Sequence, residues 1–194
     1  MKTFAKIIRG ATVPPAIVTV LFVLLYILRE DVVETPLDLA LSIFFLAVVP
    51  VLAYPLQAIV PAFRPGGQKM KRRLAFILSI MGYIAAFTVS MLRGAIPNLA
   101  YIDAVYLCSV LVLTLLNVCT PWRTSGHACS IVGPIGLLAC FFGWRAILVG
   151  AVIVALSFWS SVYLKRHTVR EYLLGAVSPL VSALLMYPLF WPTF

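Results

Sequence analysis

Long apolar runs alternate with short polar segments along the whole chain, and this pattern predicts membrane-spanning helices. A helix needs roughly 20 mostly apolar residues to cross a bilayer. Because such runs leave little chain over, we expect one all-α domain over residues 1–194, a polytopic transmembrane helical bundle of six or seven helices. The seven predicted helices lie near residues 12–29, 36–60, 74–93, 101–119, 127–142, 145–164 and 171–191.

Proline and glycine interrupt two of these runs. Pro50 and Pro55 predict a kink or a break in the second helix, because proline removes a backbone donor. The fifth run is short and contains Pro134 between two glycines. It is expected to be tilted or broken, and a re-entrant piece there would leave six spans. The first run ends at Arg29-Glu30-Asp31 without a small-residue cleavage site, so we expect a retained helix and not a signal peptide.

Composition excludes a soluble domain. The chain is 63% hydrophobic and 11% charged, whereas soluble domains carry about 45–50% apolar and about 25% charged residues. The four cysteines lie in or beside apolar runs without a C-x-x-C pair, so we expect small buried apolar residues and neither disulfides nor a zinc site. Asp103 lies near a helix end, where we expect contact with water, and Asn117 is expected to bond between helices.

Positive charge is concentrated on one side of the predicted bundle. Seven spans place all but three of the 15 lysines and arginines on the side that holds the N-terminus. By the positive-inside rule this side is cytoplasmic. Such a cluster has two alternative explanations. One is topology together with attraction to anionic lipid headgroups, and the other is the binding of a phosphate group.

Both histidines of the chain, His127 and His167, fall on this basic side at predicted membrane entry points. His167 and Glu171 are four residues apart and share a face on a helix. A carboxylate there can accept a hydrogen bond from one ring nitrogen and leave the other free to attack. Ser125 and Gly126 precede a helix start, whose backbone N–H groups suit a phosphate oxygen. His127 can then protonate a leaving oxygen.

These residues resemble the type 2 phosphatidic acid phosphatase superfamily, whose motifs are K-x6-R-P, P-S-G-H and S-R-x5-H-x3-D. The second motif is matched by Ser125-Gly126-His127 after Thr124, and the third by Ser160-x6-His167-x3-Glu171. The resemblance covers roughly residues 64–180. It implies a helical membrane enzyme that removes phosphate from lipid phosphates or isoprenoid diphosphates without a metal or organic cofactor.

The resemblance also implies a role for each matching residue. His167 is the expected nucleophile that forms a phosphohistidine, Glu171 orients it, and His127 protonates the leaving group. Ser125 and Gly126 are expected to hold the phosphate through hydroxyl and backbone N–H.

Three departures from the family pattern concern cations and the carboxylate. Ser161 stands where the third motif has arginine, Glu171 replaces aspartate, and the first motif has no clean match. We expect other cations to bind phosphate in compensation. These predicted substrate-binding cations are Lys69 and Arg72 of the basic run before the third helix, Arg123 beside the second motif, and Arg166 beside the third.

The sequence therefore predicts a membrane phosphatase whose partners are a lipid phosphate and membrane lipids, with no nucleic acid. Its active-site loops are expected on the cytoplasmic face. One alternative is a lipid phosphotransferase that uses the same site with an alcohol as acceptor. The other is a non-catalytic lipid-phosphate-binding or transport protein, which the missing arginine and the incomplete first motif favour.

Overall fold

The computed structural model describes all 194 residues and contains helices and no strand. A short 3₁₀ helix, Pro61–Gly66, precedes the fourth of eight helices. The helices are α1 (Lys2–Ala11), α2 (Pro14–Leu28), α3 (Pro36–Ile59), α4 (Gly67–Arg93), α5 (Pro97–Cys119), α6 (Gly126–Phe142), α7 (Trp144–Tyr163) and α8 (Val169–Phe190).

Five helices are long and apolar enough to cross a membrane, namely α3, α4, α5, α7 and α8. Helices α1 and α2 meet at 46° and count as a sixth span if they are taken together. Helix α6 has 17 residues and is shorter than the others. The predicted all-α transmembrane bundle is confirmed. Helix α1 was not predicted, because it is amphipathic and its three cations interrupt any continuous apolar run.

The interruptions expected from proline take two different forms. Helix α3 contains a π-helical turn at Phe44–Val48 and breaks near Leu52. Its distorted turn packs closely on α4, where a Cβ at Gly82 would lie 2.4 Å from the Phe45 carbonyl oxygen. Helix α6, in contrast, runs unbroken through Pro134, so the expected break there was wrong.

Hydrogen bonds between distant residues define two ends of the bundle. We call the basic end the one that holds α1, residues 60–66, residues 120–125 and residues 164–168. At the opposite, acidic end, Asn98 donates to the Asp31 carbonyl oxygen at 2.8 Å and accepts from the Thr193 N–H at 2.8 Å. Arg29 also donates to the Phe141 carbonyl oxygen there. Helix α6 therefore starts at the basic end and finishes at the acidic end.

The largest apolar core joins α2, α3, α5 and α6, with Phe22, Ile102 and Leu137 nearly inaccessible. Asp103 lies beside this core and is 1% exposed, with Ser90 donating to its carboxylate. The expectation that Asp103 meets water was wrong, because α3 and α4 surround its side chain on α5. Among the cysteines, all of them free, Cys119 and Cys140 are exposed on the helix surface, so burial was predicted wrongly for these two.

Candidate functional site

His167 lies in the connection between α7 and α8, just before the cap of α8. Thr168 is the N-cap residue, and its hydroxyl oxygen accepts from the Glu171 N–H at 3.2 Å. Glu171 completes the capping box by accepting from the Thr168 N–H at 2.9 Å. This reciprocal pair satisfies two donors at the helix start. The four-residue spacing had suggested that His167 lies on the same helix as Glu171. His167 instead precedes the helix, next to the N-cap residue Thr168.

The His167 ring nevertheless faces the Glu171 carboxylate. His167 Nδ1 lies 3.4 Å from Glu171 Oε2. Nδ1 is buried and makes no hydrogen bond, and the facing carboxylate oxygen already accepts from the Thr168 N–H. The arrangement turns Nδ1 toward the carboxylate and leaves Nε2 for another partner.

His127 lies in the first turn of α6, which Ser125 caps. The Ser125 hydroxyl oxygen accepts from the Ala128 N–H at 3.2 Å. The N–H groups of Gly126 and His127 have no backbone acceptor, as is normal for a first helical turn. His127 Nε2 is buried and also lacks a hydrogen-bond partner. Space remains beside Gly126, where an added Cβ would meet only Leu113 Cδ2 at 3.8 Å.

A direct backbone contact joins the two histidine-bearing segments. The Ser125 N–H donates to the Glu171 carbonyl oxygen at 3.0 Å. The helix approaches this loop so closely that a Cβ at Gly175 would lie 2.2 Å from the Ser125 carbonyl oxygen. Only glycine permits that distance. The start of α6 and the start of α8 thus form one unit, which we call the histidine site (His127, His167, Glu171 and Ser125).

Two side chains hold residues 120–125 from either side. The Asn117 side-chain oxygen accepts from the Thr124 N–H at 2.9 Å. The Arg170 guanidinium carbon lies 3.2 Å from the centroid of the Trp122 ring, a cation–π contact between the loop and α8. Asn117 therefore supports the loop and does not bond between helices, which corrects the expectation for this residue.

Burial and neighbouring charges keep the His167 imidazole neutral. Burial has the largest effect and lowers the pKa of His167 below its usual value of 6.5, Glu171 opposes this, and Arg9 and Arg123 lower it further. A neutral imidazole is the form that can act as a nucleophile.

The predicted substrate-binding cations fall into two groups. Arg123 and Arg166 are exposed at the rim of the histidine site. There Arg123 lowers the pKa of His167, and Arg166 lowers the pKa of Arg9. Lys69 and Arg72 are exposed on the first turns of α4 and form no hydrogen bond or ion pair. Neither is among the charges that shift the pKa of His167, and their role in binding stays a prediction.

Sequence reasoning missed Arg9. Its guanidinium Nη1 donates to the Ser161 hydroxyl oxygen at 3.0 Å, across 152 residues of chain. Arg9 also lies close enough to both imidazoles for the charges to interact. The only sequence signal was the amphipathic spacing of residues 2–11, in which Ala5 and Ile8 are buried one turn apart.

Comparison of the chain with protein-family models, with curated proteins and with solved structures gave no match. The site offers two imidazoles with buried, unpartnered nitrogens, a carboxylate beside one of them, free helix-start N–H groups and arginines at the rim.

Proposed function

We propose that the chain is a membrane phosphatase that hydrolyses a lipid or isoprenoid phosphate or diphosphate through a phosphohistidine. The observation that carries this proposal is the pairing of the two histidines at the basic end. His127 Nε2 is buried with no hydrogen-bond partner, and His167 Nδ1 faces Glu171 at 3.4 Å, which leaves His167 Nε2 for a ligand. Leaving a buried polar atom unsatisfied costs about 1–3 kcal/mol, and a functional role is a common reason for tolerating that cost.

In the first step, His167 Nε2 attacks the phosphorus atom and the bond to the lipid oxygen breaks. Glu171 stabilises the positive charge that develops on the ring from 3.4 Å. His127 donates its proton to the departing lipid oxygen. In the second step, water attacks phosphorus and gives a proton to His127, the phosphorus–nitrogen bond breaks, and inorganic phosphate leaves.

The free N–H groups of Gly126 and His127 suit the phosphate oxygens during both steps. A bound phosphate also brings negative charge beside the imidazoles and the rim arginines, which favours the protonated form of His127. Ser125 contributes as the cap of α6, and its O–H, which that bond does not use, can donate to a phosphate oxygen. Arg123 and Arg166 at the rim are suited to attracting the anion.

A lipid substrate fits a site at the end of an apolar bundle. Its head would lie at the basic end, while its tails lie along the exposed apolar faces of the helices. The concentration of lysine and arginine at this end favours a cytoplasmic location for the site. No catalytic residue then needs to sit in the bilayer centre, where charged groups are costly.

Replacement of the nucleophile tests the proposal. The purified protein in detergent micelles is supplied with dioctanoyl phosphatidic acid or farnesyl diphosphate, and inorganic phosphate is measured. We expect release by the wild type and none by His167→Ala. Arg145→Ala, an exposed cation at the acidic end, should keep wild-type release. Release retained by His167→Ala, or no release by the wild type from either substrate, would overturn the proposal.

A non-catalytic lipid-phosphate-binding protein is the second candidate, and one observation favours it. The Glu171 oxygen nearest His167 is already committed to the Thr168 N–H. A carboxylate used as a helix cap orients an imidazole less well. Acid-labile phosphate on the wild-type protein after a rapid quench, and its absence from His167→Ala, would exclude this candidate.

A further inference from the structure

Arg9 is a partly buried cation with no acidic partner. It takes part in no ion pair, and its one side-chain hydrogen bond goes to the neutral Ser161 hydroxyl. A guanidinium carries five N–H donors, so most of them remain free here. Among the neighbouring charges, that of another cation, Arg166, has the largest effect on the pKa of Arg9 and lowers it. Such a group is stabilised by an anion placed against it.

The surroundings of Arg9 point toward the histidine site. The N–H of Arg166, the residue before His167, donates to the carbonyl oxygen of Ser161 at 3.0 Å, so Arg9 and the His167 loop share a partner. Both imidazoles and the phenol groups of Tyr54 and Tyr172 lie within range of the Arg9 charge. Tyr54 in turn carries Lys71 over its ring at 5.4 Å. The free donors of Arg9 thus lie in a region that is cationic, lined by aromatic rings and shared with the two histidines.

Helix α1 holds Arg9 in this place. Ala5 and Ile8 are buried on the helix face that packs against α7, and Phe4 contacts the Trp159 ring at 6.1 Å between centroids. The proline pair at Pro14 and Pro15 forces the 46° bend that turns α1 across the end of the bundle. Arg9 is therefore positioned by a helix that carries none of the other site residues.

We propose that Arg9 binds the phosphate of the substrate and supplies, from α1, the cation that Ser161 does not provide. The chemistry it recognises is a phosphate or diphosphate monoester at the membrane surface. Arg9 donates two parallel hydrogen bonds to phosphate oxygens, while Ser161 orients the guanidinium from behind. This assignment rests on the proposed function for the identity of the ligand, but binding can be measured without turnover.

Binding of dioctanoyl phosphatidic acid tests the assignment, measured by titration calorimetry in detergent micelles. The His167→Ala background prevents hydrolysis. Adding Arg9→Gln to it should weaken binding about 10- to 100-fold, the range expected for a lost charge-assisted pair. Lys6→Ala is the matched control, because Lys6 is exposed one turn away on the same helix. It should change binding less than twofold.

A relocated arginine separates a binding role from a structural one. The double variant Arg9→Ser/Ser161→Arg exchanges the two partners and returns the cation to the α7 side. We expect it to recover at least tenfold of the affinity lost in Arg9→Ser. Thermal unfolding of each variant shows that the fold is kept, and a variant that fails to fold is replaced by Arg9→Lys, which keeps the charge but loses the paired geometry and should bind about tenfold more weakly.

The outcomes distinguish the two proposals. Unchanged binding in folded Arg9→Gln protein would overturn the role of Arg9 even if the wild type releases phosphate. Arg9-dependent binding without any phosphate release would overturn the phosphatase and leave the Arg9 site standing as part of a binding protein.

Discussion

Gly175→Ala tests whether the contact between the α6 and α8 starts is what assembles the histidine site. The new Cβ would lie 2.2 Å from the Ser125 carbonyl oxygen, where real Cβ contacts are essentially never under 3.0 Å. The two segments must therefore separate by about 0.8 Å, the difference between these distances. That movement lengthens the 3.0 Å bond from the Ser125 N–H to Glu171 and pulls His127 away from His167.

Overpacking of this kind costs typically about 1–3 kcal/mol of stability. The effect on chemistry should be larger, because a misplacement of about 1 Å can cost about 100-fold in rate. We expect phosphate release to fall about 100-fold while the protein stays folded. Thermal unfolding and phosphate release are measured on the same preparations.

Gly136→Ala is the matched control for this variant. Gly136 lies at the same α6–α8 contact, but an added Cβ would meet only the tip of the Leu180 side chain at 3.4 Å. Its activity should remain within twofold of the wild type. Full activity in Gly175→Ala, or an equal loss in Gly136→Ala, would refute the claim that this contact sets the distance between the histidines.

Two further predictions concern charge and support at the site. Because burial lowers the pKa of His167 below 6.5, its neutral form persists into mild acid, and the rate should fall only as the pH drops below 6.5 and passes through the folded-state value. Arg9→Gln removes a cation that lowers this pKa, so the acid limb of the pH–rate profile should move to higher pH. Glu171→Gln keeps the cap but removes the carboxylate that raises this pKa, so the acid limb should move to lower pH. Profiles that coincide with the wild type would contradict both assignments. Asn117→Leu removes the acceptor of the 2.9 Å bond from the Thr124 N–H and should lower phosphate release about tenfold with a loss of about 1–3 kcal/mol in stability, whereas wild-type release would show that the loop needs no such support.

Much of the fold was predictable because bilayer-spanning helices have a strong sequence signal. Apolar runs of sufficient length placed α3, α5, α7 and α8 close to their observed bounds. The signal failed for α1, which is short and amphipathic. It also failed where packing against a neighbouring helix determines whether a residue is buried. Asp103 lies near the end of its helix by sequence, yet packing against Ser90 removes it from water.

The candidate site was predictable as far as it is local in sequence. Ser125, Gly126 and His127 form one helix start, and His167 and Glu171 flank another, so their pairings follow from spacing alone. The position of Arg9 depends on a bend at Pro14 and on packing across 152 residues of chain. No local pattern contains that information, and for this reason the sequence predicted Lys69 and Arg72, and not Arg9, as phosphate-binding cations.

The acidic end has a consequence for how independently the helices can move. Asn98 links the α2–α3 connection to the chain after α8, and Arg29 fastens the end of α6 to the same cluster. The ends of α2 and α6 and the chain after α8 are therefore tied together at one place. Asn98→Ala removes the side-chain bonds to Asp31 and Thr193 at this place, so thermal unfolding should show a loss of about 1–3 kcal/mol in stability.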